Sequence, residues 1–163
     1  MTVTIKGTDE LKKALDSFAF DLDLAVDNAV RITAIKVQQE AVKAIREPSV
    51  GTYVTRYTAP IEEGGKAYSH VASKPGDAPN SDTGRLIGSI NIDHDKGSKV
   101  AFVGTNLEYG FFLETVHNRP WLGPAKDSQI GFMKVRIKSE VNKQIKEAGQ
   151  KARVVVANIN IES

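Results

Sequence analysis

A chain of 163 residues with 40% hydrophobic content carries apolar material for one core and little length for two, so a single domain over residues 1–163 is expected. A charged fraction of 26% and a formal net charge of +2 fall short of a dedicated nucleic-acid binder, and the lack of cysteine excludes disulfides and thiolate metal sites. The first seven residues lack the basic stretch and apolar run of a signal peptide, and no stretch has the apolar length of a membrane span, so a soluble, intracellular protein with no membrane partner is expected.

Thr2 to Lys6 alternates with period two, which predicts a short strand burying Val3 and Ile5, and Gly7 breaks it. Thr8 can cap a helix whose first turn holds Asp9 and Glu10, and no proline interrupts the chain before Pro48. Leu11, Leu15, Phe18, Leu22, Ala25, Ala29 and Ile32 recur at spacings of three and four, continuing less regularly to Ile45, and predict one helix over 8–46. At roughly 1.5 Å per residue such a helix is on the order of 55 Å long, more than one small domain covers, so part of it is expected to pack on another subunit or to bend.

From residue 47 to 81 the periodicity disappears under Pro48, Gly51, Pro60, Gly64, Gly65, Pro75, Gly76 and Pro79, with only short β-like patches such as Tyr53-Val54-Thr55. So long a punctuated stretch reads as an extended arm or hairpin that orders against a neighbour, or else as a floppy insertion. Asp82 can cap a turn of helix over 83–88; residues 89–93 and 99–105 then read as strands around an Asp95-Lys96-Gly97 turn. Leu107, Phe111 and Phe112 mark a short helix within 106–115, closed by a loop holding Pro120, Trp121, Gly123 and Pro124. Ile130, Met133, Ile137, Val141, Ile145 and Ala148 make an amphipathic helix that Gly149 can end, and the alternation of Val155, Ala157, Ile159 and Ile161 predicts a last strand over 153–161. The fold class is α+β: long N-terminal and C-terminal helices packed on a mostly antiparallel sheet, with an extended arm at about 47–81.

Six acidic residues between Asp9 and Asp27 face only two lysines in sequence, whereas 126–153 holds eight basic residues against three acidic ones. The two helices are complementary in charge, within one chain or between copies, unless both faces are simply solvated.

Signatures of catalysis are missing. His70, His94 and His117 lie at loops or element ends without helical metal spacing, no G-x-S-x-G is present, and Gly64-Gly65-Lys66 lacks the first glycine and the Ser/Thr of a phosphate loop. Glu62-Glu63 reads as a solvated pair. The tyrosines and the single tryptophan do not interleave with Arg46, Arg56, Lys66 and Lys74 as a base-stacking platform would. No catalytic residue, metal or cofactor is expected.

Four blocks in the second half carry a resemblance. They are Ala72-Ser73-Lys74-Pro75-Gly76-Asp77-Ala78-Pro79; then Asp82-Thr83-Gly84-Arg85-Leu86 with Ser89-Ile90; then Val103-Gly104-Thr105-Asn106 with Tyr109 and Glu114; then Arg119 to Ala125. In order and spacing, over about residues 72 to 125, they resemble the neck or tail-completion family of long-tailed bacteriophages, which includes the minor tail proteins called Z-type. This chain departs from the family pattern at Thr115-Val116-His117, where a Gly-Thr pair is usual, and at Trp121, where phenylalanine usually follows the proline.

The resemblance implies a virion structural protein, not an enzyme: a ring of identical copies, a hexamer by expectation, at the head-to-tail junction. Its partners would be itself and other neck and tail proteins, with DNA passing non-specifically through the lumen. Within the matched blocks, Asp82, Thr83, Gly84 and Leu86 read as a structural motif in which capping oxygens and a permissive glycine turn the arm sharply and Leu86 anchors it. Tyr109, Glu114 and Trp121 are the candidate subunit interface, with a core position as the alternative for Tyr109 and Trp121. A tail terminator capping the tail tube, and a small non-phage adaptor that binds an acidic partner, are the competing readings.

Overall fold

A computed structural model describes residues 4–5, 8–157 and 161–162. The element order is β1 (Thr4–Ile5), α1 (Thr8–Arg46), β2 (Thr52–Tyr57), a 3-10 turn (Ile61–Glu63), β3 (Ala67–Ala72), α2 (Arg85–Ser89), β4 (Asn91–Asp95), β5 (Val100–Gly104), α3 (Glu108–Thr115), α4 (Gly123–Ala157) and β6 (Ile161–Glu162). The strands pair as three two-stranded ribbons, β1 with β6, β2 with β3 and β4 with β5. The class is α+β with long N-terminal and C-terminal helices.

Helix α1 runs 39 residues, with Asp9 and Glu10 in its first turn and Lys43 and Arg46 in its last, each sign matched to the helix dipole. Pro48 lies just beyond its end, where proline and the residue before it disfavour helix. The buried side of α1 matches the expected one in part: Ala25, Ala29 and Ile45 are buried, but Leu15 is exposed, and Thr33, Val37 and Ala41 complete a buried stripe at a strict spacing of four. Each four-residue step advances the stripe by about 40° around the axis, so the burying elements change along the helix.

The chain forms two compact units. The described part of the first lies within residues 4–32, 95–100 and 132–162, and the second comprises 33–94 and 101–131. In the first unit Ala25 and Ala29 are buried. The acidic helix segment is tied by Lys151 Nζ to Asp21 at 3.6 Å and by Lys99 Nζ to Asp23. Part of the charge complementarity between α1 and α4 is thus met within one chain.

The second unit holds the larger core: Val37, Ala41 and Ile45 from α1, Leu86 and Ile90 from α2 and its end, Trp121 from the loop before α4 and Ala125 from its first turn. Gln38 Nε2 donates to the Ile90 carbonyl at 2.7 Å, fixing α1 to the end of α2.

Three expectations are corrected. Helix α4 begins at Gly123, ahead of the periodic run starting at Ile130, and continues through Gly149 to Ala157, so Gly149 does not end it. An interior glycine costs a helix only about 1 kcal/mol, which the flanking helix formers outweigh. For the same reason residues 153–157 are helical and not strand; 158–160 lie outside the described residues, as does Val3 of the N-terminal strand, leaving a two-residue ribbon of Thr4–Ile5 against Ile161–Glu162. Finally, His70 and His94 stand inside β3 and β4, not in loops or at element ends. Among the described residues no helix is long and apolar enough to cross a membrane.

Candidate functional site

The arm at 47–81 is a β-hairpin. Strands β2 and β3 pair antiparallel from Thr52 opposite Ala72 to Tyr57 opposite Ala67. Asn80 pins its base: Oδ1 accepts from the Ser49 amide at 2.8 Å, and Nδ2 donates to the carbonyls of Ser49 and Val71. The base also demands glycine at 51, since a Cβ there would lie 1.6 Å from the Ala72 carbonyl oxygen.

The Asp82-Thr83-Gly84 motif works differently from the expected cap. Gly84 takes a left-handed φ of 75° and precedes α2 directly, which is the sharp turn expected of it. The Arg85 amide reaches Thr83 Oγ1 only at 3.4 Å. Asp82 makes no cap hydrogen bond; its carboxylate faces the hairpin, accepting from Tyr68 Oη at 2.9 Å and lying 3.3 Å from Arg56 Nε and 3.7 Å from His70 Nδ1. The hydrogen bond it donates to Asp82 holds the Tyr68 phenol above its usual value, with desolvation and the carboxylate charge adding to the effect and Arg56 opposing it. Leu86 is buried in the core, as expected.

The expected interface trio divides. Trp121 is 2% exposed, and its Nε1 donates to the Gly110 carbonyl at 3.1 Å, so it is a core residue and not a subunit anchor. Gly110 is needed for the close packing of Thr105 and Leu86, because a Cβ there would meet them at 2.7 Å and 3.0 Å. Glu114 is also engaged internally: its carboxylate accepts from the amides of Trp121, Leu122 and Gly123 at 2.7, 3.0 and 2.8 Å and caps the N-terminus of α4 from a different element. Tyr109 alone of the three is exposed, beside Phe111 and Phe112, which meet edge to face with centroids 6.0 Å apart. Partial burial holds its phenol above the usual value, opposed by Arg85.

The four sequence blocks meet in this unit. Arg119 Nη2 donates to the Ser73 carbonyl at 3.0 Å, tying the first block to the fourth, and the Gly76 amide donates to the carbonyl of Asn118, just ahead of the fourth; Ser89 and Thr105 hydroxyls join the second to the third. Between them lies a cleft of 560 Å³ whose apolar wall includes Ile45, Leu86, Phe112 and Leu113 and whose charged groups are Arg56, Arg85, Arg119 and Asp82, with His70 and His117. Ser73 Oγ and Arg119 Nε, in residues that line it, are buried without a hydrogen-bond partner among the described residues.

Sequence reasoning placed Asp82 and Arg119 in its blocks but missed this gathering of cations, because Arg56 and His70 come from a hairpin whose fold-back onto Asp82 leaves no local signal. No protein-family model, curated protein or solved structure matches the chain.

Proposed function

We propose that the chain is a structural component of a tailed-phage virion, a neck or tail-completion protein that assembles into a ring where the tail joins the head. The observation that carries this reading is apolar exposure. Phe20 on α1 is 69% exposed, Tyr53 on the hairpin 77%, Phe111 on α3 63% and Val135 on α4 70%, with other large apolar side chains exposed on the same elements. Large apolar side chains left exposed on four elements are surface that burial on other chains would cover. The four blocks from residue 72 to 125 supply the choice of partner: they resemble those of neck and tail-completion proteins, and here they form one bonded unit that presents the hairpin and the aromatic face of α3. One interface repeated head to tail gives a closed ring when its rotation closes.

Light scattering on the full chain, alone and mixed with isolated tails, tests the reading. A defined oligomer, or a monomer that assembles at tail ends and appears there as a ring in micrographs, is expected. A monomer at every concentration that ignores tails overturns it.

A further inference from the structure

The end of the hairpin is a hydrogen-bonded loop that carries exposed apolar and acidic side chains. Residues 58–66 are closed by the Thr58 amide on the Lys66 carbonyl and the Lys66 amide on Thr58 Oγ1. Pro60 accepts from the amides of Glu63 and Gly65, and Gly64 turns at φ 78°. On this preformed turn Ile61, Glu62 and Glu63 are all exposed, and among the described residues neither glutamate has an ion-pair partner. The cleft offers the converse: three arginines against one carboxylate, Asp82, that is already engaged by Tyr68 and Arg56, with an apolar wall beside them. Ser73 Oγ, in a residue 4% exposed, and Arg119 Nε stand buried there without an acceptor among the described residues. None of residues 58–66 lines the cleft of its own chain.

We propose that Ile61, Glu62 and Glu63 of one copy seat in this cleft on the next copy, Ile61 against Leu86 and Phe112 and the glutamates against Arg85 and Arg119. This rests on the ring reading and names the contact that closes the ring. The contact is heterologous, joining two different surfaces of the same chain, as a cyclic assembly requires. A preformed loop loses little entropy on docking, and buried carboxylate–arginine hydrogen bonds are of the stronger, charge-assisted kind. Nucleic acid fits less well, since the apolar wall gives a phosphate no partner and Asp82 repels it.

The cysteine-free chain allows a direct test. Full-length Ile61→Cys and Arg85→Cys proteins, one of them tagged, are mixed under mild oxidant, so that a mixed disulfide can form only between copies. A mixed dimer well above that of an Ile61→Cys and Gln150→Cys control pair is expected, falling to the control level when Glu62→Lys and Glu63→Lys are added; circular dichroism checks that each variant is folded. Oligomers by light scattering with a mixed disulfide no higher than the control overturn this contact and leave the ring standing. Absence of both assembly and disulfide overturns the two together. Short duplex DNA that binds the wild-type protein, is released by Arg85→Glu, and is accompanied by no mixed disulfide overturns the contact in favour of a nucleic acid.

Discussion

At the scale of single residues, the second unit depends on polar side chains that bridge distant segments. Glu114 is the clearest: a charged acceptor facing three amides at the start of α4 is worth more than a neutral cap. Glu114→Gln removes the charge and one acceptor oxygen, and is expected to destabilise the chain by about 1–3 kcal/mol in urea unfolding followed through Trp121 fluorescence. Tyr68 offers a pH signature. Its folded value lies above the ordinary 10.0, so the stability from its hydrogen bond to Asp82 is fully present below that pH and is lost as pH rises through the folded value. Absorbance titration is expected to show a late-ionising phenol that Tyr68→Phe removes, and the stability difference between the two proteins should vanish at alkaline pH. A difference unchanged across that range would exclude the bond.

At the scale of elements, the hairpin is held at its base and closed at its tip. Asn80 and the tight approach of Gly51 to Ala72 fix the base. Gly51→Ala forces backbone apart there, with an expected cost of about 1–3 kcal/mol. Hydrogen exchange localises the effect: amides of β2 and β3 should lose protection while those of α1 keep theirs. Helix α1 makes the complementary point, because alanines fill half of its buried stripe. Small side chains bring backbones close and bury little area each, so α1 contributes to both units without supplying a large core to either.

At the scale of the whole molecule, two continuous helices serve both units, α1 giving residues 8–32 to one and 33–46 to the other, and α4 dividing at residue 131. Among the described residues, Ile45 and Trp121 are the most deeply buried large side chains, while aromatic and aliphatic groups stand exposed on α1, the hairpin, α3 and α4. Burial of those groups between copies would make stability depend on protein concentration. The light-scattering experiment therefore belongs with a thermal melt: the midpoint should rise with concentration if the chain assembles through these faces, and stay fixed if it does not.

The sequence by itself determined the elements whose signals are local. Charged first and last turns and the first proline beyond them bound α1 over Thr8–Arg46, turn residues placed the β4–β5 hairpin around Asp95, and Gly84 marked a left-handed turn. Only the tertiary structure decided what depends on groups far apart in the chain. Helix α4 starts at Gly123 because Glu114, nine residues back on another helix, caps it. Trp121 is core because its indole packs beside Leu86 and Ile45 and donates to the Gly110 carbonyl on α3, and Asp82 is turned from capping by Tyr68 and Arg56 on a folded-back hairpin. Periodicity reports which side of a helix is apolar. Which of those apolar residues find a partner, and which are left for another chain, depends on contacts that no local pattern records.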